Sequence, residues 1–262
     1  KAAEIRRFQK APQRRVTFVV DRNINYTNVC VSGCRFCAFY KTPQSNEGYV
    51  LSRESLHEKI EETIRLGGTQ ILLQGGMNPD LDLGYYTDLL RFIKERFDIH
   101  IHGFSPPEIH YISQREAISV DRIVKLFKEA GLDSIPGGGA EILCDEIREK
   151  VSPNKCTSKQ WLDVMETAHK NGMKTSATMM FGHLEKPYHI FRHMEKLRDL
   201  QDRTRGFTAF IPWTFQPENT KIQTPKKSAA VYLKVLAASR LFLDNFDNIQ
   251  ASWVTQGDKI AQ

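Results

Sequence analysis

Apolar residues recur along this chain in two rhythms. Stretches with apolar positions three and four residues apart, each stopped by glycine or a polar cap, alternate with short β-branched runs. The first rhythm predicts amphipathic helices, the second buried strands. Ser52 caps a helix to Leu66 that Gly67 ends, and Ile71-Leu72-Leu73 follows as a strand. Leu83 to Phe97 reads as helix and Ile99 to Phe104 as strand. Val120 to Ala130 is a helix stopped by Gly131, ahead of a strand at Leu132 to Ile135. Thr157 and Gln160 form a capping box for a helix to Asn171, with Gly172 after it and Thr175 to Phe181 as strand. Helix Tyr188 to Leu200, strand Phe207 to Ile211, helix Ala229 to Leu243 and strand Ile249 to Trp253 complete the series. At the front, Lys1 to Lys10 reads as the end of a basic helix closed by Pro12. Val16 to Val20 reads as a strand, Asp21-Arg22-Asn23 as a turn, and Ile24 to Val29 as the strand that delivers a cysteine-rich loop.

Strand and helix units repeating every ~30 residues predict a parallel sheet with right-handed crossovers. Crossovers all in one direction curl such a sheet. The expected fold is therefore α/β, a (β/α)8 TIM-type barrel or an incomplete one, with a doubly wound open sheet as the alternative. The cysteine loop then lies at the C-terminal rim of the first barrel strand. No linker interrupts the series, so residues 1–262 are expected to form a single domain. The start at Lys1 and the end at Gln262 both read as fragment boundaries.

Composition narrows the class. Hydrophobic residues make up 40% of the chain, and no apolar run approaches the length of a membrane span. No signal peptide is visible. The net charge of +6 comes from Lys and Arg interleaved with Asp and Glu, which reads as solvated helix faces rather than a nucleic-acid surface. A mild positive field favours an anionic small substrate. Five cysteines, three of them bunched, point to a reducing, cytoplasmic setting rather than a disulfide framework.

The bunch is Cys30-Val31-Ser32-Gly33-Cys34-Arg35-Phe36-Cys37. Thiolates on one loop can converge, and soft sulfur selects iron–sulfur clusters, zinc or copper(I). A closed structural zinc site or an ordinary ferredoxin cluster takes four ligands, and this loop offers three, so one position is left open. A zinc knuckle completed by a distant cysteine or by His57 is the competing reading. Gly75-Gly76, after the strand at Ile71, permits close backbone approach to a ligand. His100 and His102 share one face of their strand and, turned inward, can bind a carboxylate or move a proton. Pro136-Gly137-Gly138-Gly139-Ala140-Glu141 opens a helix after the next strand; its three glycines, costly in chain entropy, point to close backbone approach to a ligand, and Glu141 can complement a helix N-terminus. His183 is a further proton-transfer candidate. Cys144 and Cys156 fit no second cluster pattern and read as buried thiols.

The spacing Cys-x3-Cys-x-Phe-Cys resembles the radical S-adenosylmethionine (SAM) enzymes. That resemblance implies a [4Fe-4S] cluster on Cys30, Cys34 and Cys37, with SAM on the fourth iron and an external electron donor. It makes Phe36 the aromatic that meets the adenine, Gly75 and Gly76 the turn at the SAM amino group, and Glu141 the ribose acceptor. Met77 departs from the acidic residue that often follows the glycines. The stretches Asp21 to Asn28, Gly103 to Glu108, Asp133 to Glu141, Thr178 to His183 and Gln250 to Gly257 narrow the resemblance to radical SAM enzymes of the futalosine route to menaquinone, which act on a nucleoside-like carboxylate. Aminofutalosine synthase and the deazaflavin-forming enzymes share the cysteines. A non-catalytic iron–sulfur or zinc protein is the reading from another class. Within the enzyme reading, His100, His102 and Glu141 are the candidate bases.

Overall fold

The computed structural model describes residues 2–10 and 16–262. Its elements, in chain order, are α1 (Ala2–Lys10), β1 (Asp21–Asn25), α2 (Arg53–Arg65), β2 (Gln70–Gln74), α3 (Leu83–Lys94), β3 (His100–Gly103), α4 (Pro106–Arg115), α5 (Val120–Ala130), β4 (Ser134–Ile135), α6 (Asp145–Val151), α7 (Ser158–Lys170), β5 (Lys174–Phe181), α8 (Pro187–Thr204), β6 (Phe207–Thr214), α9 (Ala229–Phe242), β7 (Asn248–Ile249), α10 (Trp253–Gln256) and α11 (Asp258–Ala261). The seven strands found among the described residues pair in sequence order, every pair parallel. Among those residues nothing pairs β7 back to β1. The sheet is an incomplete (β/α) barrel.

The layers follow from side-chain alternation. Ile71 and Leu73 of β2 and Ile101 of β3 are fully buried toward the helices, while the residues between them line the barrel interior. Outside β1–β3, Tyr26, Tyr86, Phe104 and Phe127 pack edge-to-face or tilted, with ring centroids 4.8–6.3 Å apart. This cluster holds α3 and α5 on the sheet, each large side chain contributing roughly 1.5–3 kcal/mol by burial.

Four local expectations are corrected. Val16 to Val20 form no strand and are exposed, Phe18 at 84%. Asp21-Arg22-Asn23 is strand instead of turn, in register with Gln70, Ile71 and Leu72. The interior face of this barrel is polar, so the strand carries residues that ordinarily mark turns; Asn23 donates to Asn25 there at 3.1 Å. Pairing then stops at Asn25, short of Val29, and the chain continues through isolated bridges, Thr27 to Val50 and Val29 to Lys41. The last strand is limited to Asn248–Ile249, and Trp253 opens a short helix. Helix α4 was not expected, and α6 begins only at Asp145, past the run Pro136 to Glu141 that was expected to open it. In α4 the prolines sit at the first helical positions, where their missing N–H costs nothing; α6 is short. Pro12 lies outside the described residues.

Candidate active site at the barrel rim

The cysteine loop leaves β1 at the rim. Its backbone is held from several directions: Cys30 N–H donates to Lys41 O at 2.9 Å, Val31 N–H to Met77 O at 3.0 Å, and Arg35 N–H to Val151 O at 2.8 Å. Lys221 N–H donates to Arg35 O at 2.8 Å, and Asn154 Nδ2 to Ser32 O at 3.2 Å. Cys30 and Cys34 are buried and Cys37 is partly exposed. Ser32 Oγ stands 3.1 Å from Cys30 Sγ and 3.2 Å from Cys34 Sγ, and Met77 N–H points at Cys30 Sγ from 3.3 Å. Among the described residues no three His, Cys, Asp or Glu side chains converge tightly enough for a single metal ion. His57, the suggested fourth zinc ligand, packs on Phe97 at 4.8 Å instead. Two thiols on either side of the Ser32 hydroxyl, one of them receiving a backbone N–H, with a third on the same loop, suit a multi-iron cluster in which each thiolate takes its own iron.

The turn at Gly75-Gly76 lies directly under this loop. A Cβ on Gly76 would overlap the Val29 carbonyl oxygen and reach 2.7 Å from Cys30 Cβ, and one on Gly75 would come within 2.6 Å of the Tyr26 ring. Glycine is required because two segments of backbone touch. Gly75 N–H donates to Glu108 Oε1 at 3.0 Å and Gly76 N–H to Thr27 O at 3.1 Å. With both amide hydrogens spent inside the protein, the carbonyl oxygens are what this turn can offer a ligand. Glu108, 4% exposed, also accepts from Tyr26 Oη at 2.6 Å, Ser105 N–H at 2.8 Å and Ser105 Oγ at 2.5 Å. Burial pushes its carboxyl above the usual range, against those donors.

Glu141 comes to the same rim. It has a positive φ of 41°, is 5% exposed, and is met by Lys155 Nζ at 2.9 Å and Arg148 at 3.4 Å. Those cations hold its carboxyl below the usual range in spite of desolvation, which is the largest single influence and acts the other way. Lys155 Nζ lies 5.1 Å from the Phe36 ring centroid, and its charge acts on Cys34. Arg148 is 3% exposed and also donates to the carbonyls of Gly139, Ala140 and Cys156 at 3.1, 2.6 and 2.6 Å. The glycine run is shaped by crowding: a Cβ on Gly137 would sit 2.6 Å from Thr178 N, and Trp161 Nε1 donates to Gly138 O at 3.1 Å. His183 is buried beside Glu185, 3.4 Å away, and donates from Nε2 to Met180 O at 3.1 Å.

Cys30, Cys34, Cys37, Phe36, Gly75, Gly76 and Glu141 are thus gathered at one rim. The histidine pair is not. His100 opens β3 at its N-terminal end and is exposed, and His102 lies within the barrel; both bond to Ser134 Oγ at 2.7 Å. Desolvation lowers the His102 pKa to about 3 and lowers that of His100 as well. Sequence reasoning missed Lys155, Arg148 and Glu108. Lys155 and Arg148 sit among ordinary helix and loop charges, and nothing in their spacing separates them from solvated lysines and arginines.

Residues 24–197 match the Radical SAM superfamily, and residues 204–262 match the CofH/MqnC C-terminal region. The fold is shared with methylornithine synthase (PylB), TM-score 0.69 and 15% identity over 98% of this chain and 77% of that one. It is shared equally with the FeFe-hydrogenase maturase HydG from Carboxydothermus hydrogenoformans, TM-score 0.71 and 17% identity over 95% and 58%. The chain belongs to the radical SAM superfamily. Within it, the chain belongs to the family of cyclic dehypoxanthine futalosine synthase: it is 52% identical to the Halalkalibacterium halodurans protein of that name, over 96% of this chain and 68% of the relative. The Streptomyces coelicolor protein of the same name is 40% identical over 94% and 62%. A differently named branch is represented by the 5-amino-6-(D-ribitylamino)uracil–L-tyrosine 4-hydroxyphenyl transferase of Methanothermobacter thermautotrophicus, 42% identical over 95% and 70%.

Proposed function

We propose that this chain cyclises dehypoxanthine futalosine to its cyclic form, a radical SAM step in menaquinone formation. The observation that carries the reading is the rim itself, the Cys30 and Cys34 thiols on either side of Ser32 Oγ with Cys37 on the same loop and Phe36, Lys155 and Glu141 beside Cys34, in a chain 52% identical to a cyclic dehypoxanthine futalosine synthase. Cys30, Cys34 and Cys37 would hold a [4Fe-4S] cluster. Bound there, cluster and SAM together supply a 5'-deoxyadenosyl radical, given an electron from an external donor. The carbonyl oxygens of Gly75 and Gly76 would accept from the SAM ammonium, Phe36 would pack on the adenine, and Glu141, held charged by Lys155 and Arg148, would accept from the ribose diol.

Hydrogen is taken from C4' of the substrate ribose, the carbon radical adds to the benzoate ring, and one proton and one electron leave to restore aromaticity. The protein's part is to position the two reacting carbons, exclude water and receive that proton. With Glu141 occupied by cations, His100 and His102 are the groups assigned to the proton. The two family regions act as one domain, since β5 of the first pairs with β6 of the second from Thr175 to Phe181. Five free cysteines suit a reducing cytoplasm, and no helix among the described residues is long and apolar enough to cross a membrane.

The test is an anaerobic incubation of cluster-loaded protein with SAM, a strong reductant and dehypoxanthine futalosine, read by mass spectrometry. A product two hydrogens lighter, formed with 5'-deoxyadenosine and lost on Cys34→Ala, is expected. Turnover of tyrosine and the ribitylaminouracil with futalosine untouched would transfer the chain to the archaeal branch.

A further inference from the structure

The barrel interior holds a line of hydrogen-bonded side chains that the SAM site does not use. Ser176 Oγ lies 3.0 Å from His102 Nε2; His102 Nδ1 lies 2.7 Å from Ser134 Oγ; and Ser134 Oγ lies 2.7 Å from His100 Nε2. Ser176 Oγ also accepts the Gly137 N–H at 3.1 Å, which fixes one of its lone pairs. The line crosses three neighbouring strands, β5, β3 and β4, and returns to β3. Its upper end touches the glycine run at Gly137 and lies one pleat, about 7 Å, below Thr178. Its lower end, His100, is exposed beneath the barrel, with Asp133 and Lys94 as the charged groups facing it.

Donor counting allows this line a continuous head-to-tail order. A serine hydroxyl has one hydrogen, so Ser134 cannot donate to both imidazoles, and one of them must donate to it. In one consistent arrangement Ser176 donates to His102 Nε2, His102 Nδ1–H donates to Ser134, and Ser134 donates to His100 Nε2, leaving the His100 Nδ1–H toward solvent. A proton reaching the free lone pair of Ser176 then moves the whole line by one hop and releases a proton at His100.

We propose that Ser176, His102, Ser134 and His100 form a proton relay that carries the proton released on ring rearomatisation out through the floor of the barrel, away from the cluster. The proposal rests on the cyclase reading above. The bond that breaks is a ring C–H; its proton enters at Ser176 and an equivalent proton leaves at His100, while the electron would pass to the cluster that Cys30, Cys34 and Cys37 would hold, so the step balances without another reagent. Ser134 is a positioning residue by this account and touches neither substrate nor SAM.

The test uses the full chain with its cluster loaded, comparing wild type, Ser134→Ala and Ser134→Thr. Cyclised product should fall at least 10-fold in Ser134→Ala while 5'-deoxyadenosine continues to form, raising the ratio of the two; the solvent deuterium isotope effect on product should rise, and Ser134→Thr, which restores a hydroxyl, should recover both. An unchanged ratio and isotope effect in Ser134→Ala overturns the relay. Nitrogen-15 NMR of the histidines gives a readout that needs no substrate. In wild type, protonating His100 should shift the tautomer balance of His102, and Ser134→Ala should abolish that coupling; His102 insensitive to His100 in wild type also overturns the relay. A wild type that shows this coupling but leaves futalosine untouched would instead refute the cyclase reading.

Discussion

Replacing Gly76 with alanine adds one methyl group at the place where the β2 turn and the cysteine loop touch. That methyl would stand 2.7 Å from both Cys30 Cβ and the Val29 carbonyl carbon, and closer still to the carbonyl oxygen. Ordinary carbon contacts are about 3.5–4.0 Å, so the segments must part by about 1 Å. Overpacking of this kind costs about 1–3 kcal/mol. The same displacement breaks the bonds that join turn to loop, Val31 N–H to Met77 O at 3.0 Å and Met77 N–H to Cys30 Sγ at 3.3 Å, each worth about 0.5–1.5 kcal/mol. The sum is roughly 2–6 kcal/mol, against a total stability of about 5–15. In a chain of this size it should lower the melting temperature by about 4–24 °C. The larger effect should be on iron: with Cys30 displaced, iron and sulfide bound per chain after anaerobic reconstitution should fall below half the wild-type value. Gly67→Ala is the control, since its added Cβ meets nothing within 4 Å and only its φ of +83° resists, costing about 1–2 kcal/mol with no loss of iron. A Gly76→Ala protein that melts with wild type and binds a full complement of iron would refute the contact argument.

Three further outcomes are expected. Glu108→Gln keeps the shape but turns an amide toward donors, so it should lower stability by about 1–3 kcal/mol and weaken SAM binding to the loaded enzyme, measured by calorimetry; an unaltered SAM affinity would show that the Gly75-Gly76 turn does not depend on this carboxylate. Lys155→Met removes the cation beside Cys34 and should shift the cluster midpoint potential to a more negative value in a redox titration followed by electron paramagnetic resonance, with weaker SAM binding; a potential at or above wild type would refute it. His102 and His193 are held neutral down to about 3 and His169 to about 4, whereas an unfolded chain protonates histidine near 6.5. The unfolded state therefore binds more protons between those values, and stability should fall as pH drops from about 6.5 toward 4; urea midpoints at pH 7.5 and 5.0 check the sign, and equal midpoints would contradict it.

Much of the architecture was legible because helix stops and caps are local chemistry. Ser52, Asn171 followed by Gly172, and the Thr157–Gln160 box bound their helices as their residue types require. The cysteine spacing was equally local. The misreadings share a cause. Asp21-Arg22-Asn23 looked like a turn because polarity was taken to mean surface, and a barrel whose interior receives a ligand is polar inside. His100 and His102 were rightly read as facing one way, but strand direction decided which end of the barrel they reached. The triple glycine was read as space for a ligand, and the structure accounts for it by strand β5, Gln74 and Pro107 pressing against it. Lys155 and Arg148 act at the site through contacts fixed only by the fold, which no spacing encodes.

The anchoring of the cysteine loop also sets a timetable. Its cysteines are made before every backbone partner that shapes the loop: Lys41, Met77, Val151, Asn154 and finally Lys221. During synthesis the thiols are therefore exposed long before the loop has its form, and the last tether arrives only after the strand that carries Trp213. A cluster on these thiols would be inserted after the barrel has curled, and three reduced cysteines would have to be guarded until Lys221 has been made.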